Sequence, residues 1–70
     1  MLDRNEIMTL LKWNIVKYIK ALERKSISAI EHEVAIKTYL IVLKMQNLID
    51  EYIHIGINEA NQLLRDLENV

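Results

Sequence analysis

Between Ile30 and Ile53 the chain is apolar on nearly every side of a helix, and this segment limits the fold more than any other feature. At about 100° per residue, Ile30, Val34, Ile41, Met45, Leu48 and Tyr52 fall on one stripe. Ala35, Val42, Ile49 and Ile53 lie beside it, and the two stripes together span an arc of about 140°. Ile36, Tyr39, Leu40 and Leu43 form a patch on the opposite side, among His32, Asn47, Asp50 and His54. A helix with apolar residues all round its middle is a buried helix, so other helices have to surround this one. A strand competes only over residues 38–43, where β-branched and aromatic residues cluster. A lone strand between two strong helical patterns has nothing to pair with.

The flanking segments supply part of that cover. Met8, Leu11, Ile15, Tyr18 and Leu22 recur at intervals of 3, 4, 3 and 4, with Ile7 and Ile19 beside them. That is the spacing of a core seam. The last segment offers Ala60, Leu63, Leu64 and Leu67. Capping signals set the limits. Asp3-Arg4-Asn5-Glu6 reads as a capping box, with Leu2 and Ile7 at the positions of a hydrophobic staple. Ser28-Ala29-Ile30-Glu31 reads as a second box after the break at Ser26-Ile27-Ser28. Gly56, the single glycine of a chain without proline, stands where a left-handed residue ends a helix, and Asn58 caps the next one. One all-α domain spanning residues 1–70 follows, with helices over about 4–25, 29–54 and 59–68. Short connections make the first two a long antiparallel hairpin, followed by a short C-terminal helix.

Seventy residues give a marginal core, and with no cysteine there is no disulfide to staple it. The expected remedy is a homodimeric helical bundle built around the second helices, with Ile36, Tyr39, Leu40 and Leu43 as the oligomer interface. An apolar fraction of 51% argues against disorder. The longest apolar run, residues 39–43, is far short of a membrane span, and no secretory leader pattern opens the chain. The expected location is therefore cytoplasmic.

Chemistry-bearing patterns are few. In Glu31-His32-Glu33 adjacent side chains diverge on a helix, so the triplet reads as a solvated first turn. Asp50 and His54 share a face four residues apart, but two ligands are too few for a metal. Ser26 and Ser28 serve as caps, and no glycine-rich loop exists to cradle a phosphate. The turn Ile55-Gly56-Ile57-Asn58 suits a helix-turn-helix presenting Asn61, Gln62 and Arg65, but Glu59, Asp66 and Glu68 on the same helix repel phosphate. No catalytic residue, cofactor or metal is expected, and the chain is not read as an enzyme.

Charge is uneven along the chain. Residues 1–27 hold six basic residues against three acidic ones, and residues 28–70 hold three against seven. Trp13, Lys17, Lys20 and Arg24 recur at intervals of 4, 3 and 4, opposite the core seam of the first helix. This stripe fits either a nucleic-acid surface, by backbone contacts plus stacking, or a protein partner. The expected function is that of a small non-enzymatic interaction protein acting as a homodimer, as adaptor, inhibitor or structural subunit. A nucleic-acid-binding regulator that uses the basic stripe is the alternative.

Overall fold

Asp3 opens the first helix as the sequence predicts, its Oδ1 accepting the Glu6 backbone N–H at 2.8 Å. The structure, a computed structural model, describes residues 3–50 and 53–69. The staple residue Leu2 lies outside that range. Three α-helices result: α1, Arg4–Glu23; α2, Ser28–Val42; and α3, Ile57–Glu68, with a 3-10 turn at Gln46–Leu48. Among the described residues there is no strand. Helix α1 is central, with α2 and α3 both packed on it.

The α1–α2 hairpin is antiparallel. Arg4 at the start of α1 donates to the Leu43 carbonyl just past the end of α2, at 3.3 Å. Near the other end, the Tyr18 hydroxyl meets Glu33 at 2.7 Å. The seam of α1 is as expected: Leu11, Ile15 and Tyr18 are buried, and Ile7, Met8, Ile19 and Leu22 pack at its edge. Ala60, Leu63 and Leu67 of α3 complete the core, with Leu64 half-buried beside them.

The second helix departs from the expectation in length. It was read to about His54 but stops at Val42. Leu43 is the C-cap, and Lys44 takes a left-handed conformation with φ 59°. The Lys44 N–H then bonds the Ile41 carbonyl, at 3.0 Å, and the Met45 N–H bonds that of Leu40, at 2.8 Å. These two bonds form a Schellman motif. Helix α1 ends the same way: Lys25 has φ 54°, with Lys25 N–H to Leu22 and Ser26 N–H to Ala21. In both places a lysine occupies the position that glycine usually fills. Gly56 does not serve as that stop. Its φ of −83° and ψ of 178° are extended, and it is the N-cap of α3.

The physical reason for the early stop lies in α1. Twenty residues give it a length of about 30 Å. A partner running from residue 29 to 54 would overshoot it and leave the second half of its apolar residues without cover. Turning at Lys44 brings Met45, Leu48 and Ile49 back against the core and buries Ile55. The run of residues 38–42, rich in β-branched side chains, has modest helix propensity and resists this stop little.

Helices α2 and α3 start one and two residues earlier than expected. Ile27, not Ser28, is the N-cap of α2 and makes no side-chain cap bond, while Ser26 Oγ just before it accepts the Ser28 N–H at 3.2 Å. Helix α3 begins at Ile57, and Asn58 lies exposed in its first turn.

Candidate functional site

Which side of α2 faces the core decides where a functional surface can lie. Ile36 and Leu40 are fully buried and Leu43 nearly so, while Tyr39 is half-buried against the same core. The four residues expected to form an oligomer interface are thus the inner face of α2 within one chain. Because α2 is short, α1 and the returning residues Met45, Leu48, Ile49 and Ile55 pack on this side, and the patch is covered without a second copy. Of the stripe that begins at Ile30, Met45 and Leu48 pack against the core, while Ile30, Val34 and Ile41 face outward. Ile30 is 65% exposed, Val34 60% and Ile41 50%, and Ile27 and Val42 are exposed next to them. The surplus of apolar surface is real, but it is carried by the opposite face.

Ile27, Ile30, Val34 and Ile41 follow one another at intervals of 3, 4 and 7, and Lys37 fills the intermediate position. This is the heptad spacing of a helix-pairing seam. Lys37 is half-buried, its ammonium 3.7 Å from Glu33 Oε1 and donating to the Ile53 carbonyl at 3.2 Å.

The stripe on α1 is exposed as the sequence implies. Trp13 is 60% exposed, Lys17, Lys20 and Arg24 lie open to solvent, and the Lys17 ammonium sits 4.5 Å from the centre of the Trp13 ring. That cation–π contact covers part of one ring face. The stripe points away from the side of α1 on which α2 and α3 pack.

A polar cluster that the sequence did not disclose lies toward the connected end of the hairpin. The Glu33 side chain, 13% exposed, accepts hydrogen bonds from the Tyr18 hydroxyl at 2.7 Å, His54 Nδ1 at 3.1 Å and the Ile55 N–H at 3.3 Å. The Tyr18 hydroxyl also bonds the Ile55 carbonyl. Burial pushes the Glu33 carboxyl upward, but the bonds from Tyr18, His54 and Ile55 and the charge of Lys37 outweigh it and hold the group below the usual range. Burial, followed by the bond to Glu33 and its charge, raises the Tyr18 hydroxyl well above its ordinary value. The cluster ties the segment leading into α3 to both α1 and α2. His54, which a helical reading places on one face with Asp50, has its Nδ1 3.1 Å from Glu33 Oε1. One signal for Glu33 existed: it lies three residues before Ile36 and four after Ala29, on the stripe that proves to be buried.

A cleft of about 390 Å³ opens between that segment and α3, with Ile53, Ile55 and Leu63 at its apolar part and Glu59, Gln62 and Asp66 along α3. Among the described residues, no group of three or more His, Cys, Asp and Glu side chains is placed to hold a metal ion, and no helix is long and apolar enough to cross a membrane. Compared with protein-family models, curated proteins and solved structures, the chain matches none.

Proposed function

We propose that this chain is a non-enzymatic interaction protein that self-associates through the outward face of α2. The observation that carries the reading is the exposure of Ile30, Val34 and Ile41 at heptad spacing, opposite a core already closed within one chain. Exposed apolar patches of this kind mark contact surfaces. A second copy is the favoured occupant because the seam is a repeating apolar ridge, which packs into the grooves of an identical helix. Two-fold pairing closes such a contact on itself. Val34→Glu places a carboxylate at the middle of the seam while leaving the fold of the single chain intact. In light scattering at high salt, where contacts between exposed charges are screened, this variant should stay at 8.3 kDa at the lowest concentration where the parent chain is larger. A parent chain and variant of equal mass would sink the reading.

Exposure of the α1 stripe keeps a second reading, nucleic-acid binding through Lys17, Lys20 and Arg24 with Trp13 stacking on a base. Lys17 over the indole weighs against it, because one ring face is already occupied. Gel-shift titrations at low and moderate salt discriminate, since such binding is tight only at low salt.

A further inference from the structure

We infer that the Trp13 stripe of α1 docks on the acidic face of α3 in another copy of this chain, a head-to-tail contact separate from the α2 seam. The argument is one of matching charge and spacing. Lys17, Lys20 and Arg24 stand at intervals of 3 and 4, and so do Glu59, Gln62 and Asp66. In each set the outer charges are seven residues apart, about 10 Å along a helix. All three basic side chains are exposed, as are Glu59 and Gln62, with Asp66 half-exposed.

Parallel alignment sets Lys17 against Glu59, Lys20 against Gln62 and Arg24 against Asp66. Trp13, one turn before Lys17, then falls one turn before Glu59, beside Ile53 and Ile55 at the apolar part of the cleft. The cleft volume of about 390 Å³ leaves room for an indole there. Antiparallel alignment pairs the same charges but carries Trp13 past the end of α3 at Glu68, away from the cleft. The match is not made within one chain, where α3 packs on α1 while Trp13, Lys17, Lys20 and Arg24 stay exposed. The contact uses different surfaces in the two copies, so it is heterologous and extends into chains or closes into rings. The uneven charge of the sequence, basic to residue 27 and acidic after it, serves this contact.

The test is made on the full chain carrying Val34→Glu, so that the α2 seam is silent and the outcome does not depend on it. Trp13 emission is followed against protein concentration at low and high salt. A blue shift with concentration is expected, at concentrations that rise about tenfold or more at high salt, where exposed charge pairs are screened. Adding Lys17→Glu and Arg24→Glu should abolish the shift, and adding Glu59→Lys and Asp66→Lys to that same chain should restore it. Emission that does not change with concentration overturns the proposal. So does loss without rescue, or a Trp13 shift that arises only when an oligonucleotide is added, which assigns the stripe to nucleic acid.

Discussion

Lys25 and Lys44 each hold a left-handed backbone that a side chain disfavours, and each does so to end a helix. Such a conformation costs an L-residue about 1 kcal/mol or more that glycine does not bear. Lys25→Gly and Lys44→Gly should therefore each stabilise the fold by roughly 0.5–1 kcal/mol, offset in part by the entropy of the unfolded chain. Thermal unfolding would register this as a rise in Tm of several degrees. An unchanged or lower Tm would mean that the lysine side chains stabilise these turns more than their backbones cost. The stop at Lys44 was not legible in the sequence, because lysine carries no signal for a left-handed residue and the lone glycine drew the helix end to itself, whereas α1 ends within two residues of its expected place. Glu33 was hidden for a related reason: its role depends on which side of α2 is inner. Its carboxyl is held low, so its stabilising contribution is complete above the ordinary carboxylate range and is lost as pH falls through its depressed value. Tyr18, raised instead, contributes fully below about pH 10 and loses its contribution as pH rises beyond that. Tyr18→Phe should cost about 1–2 kcal/mol at neutral pH. The variant should also show a flatter alkaline limb in a stability–pH profile, and an unaltered limb would contradict the assignment.

Among the elements, α1 and α3 were almost fully readable. Apart from Trp13, Val16 and Ile57, their large apolar residues keep to one side, so periodicity alone assigns the inner face, and Asp3 marks the start of α1. Helix α2 was readable as a helix but not in its orientation. With Ile, Val and Leu on both sides, the pattern has no phase, and the choice of inner face passes to what lies nearby in space. That choice follows from the turn at Lys44, which returns Met45, Leu48 and Ile49 to the Ile36–Leu40–Leu43 side. The two faces of α2 should accordingly respond in opposite ways to one charge. Leu40→Glu buries an unpaired carboxylate, a cost of several kcal/mol against a total stability of roughly 3–5 kcal/mol, so the chain should unfold at every concentration. Ile30→Glu, at an exposed site, should keep its helical circular dichroism. If the Ile30→Glu chain unfolded as the Leu40→Glu chain does, the assignment of faces would be wrong.

At the scale of the whole molecule, apolar surface is left over on the outer face of α2 and not around an unfinished core. One chain closes a continuous core, with a radius of gyration of 11.3 Å, close to the roughly 11 Å expected of a compact domain this long. Self-association therefore does not complete the core. On the proposed reading it covers an outer face, and is weaker than an obligate bundle and dependent on concentration. Sedimentation equilibrium over a wide concentration range tests this most directly. The account predicts a folded 8.3 kDa monomer at the dilute end that passes to twice that mass or more as concentration rises, with Tm rising in step. A chain that remains at 8.3 kDa up to millimolar concentration, with Ile30, Val34 and Ile41 still in water, would contradict it.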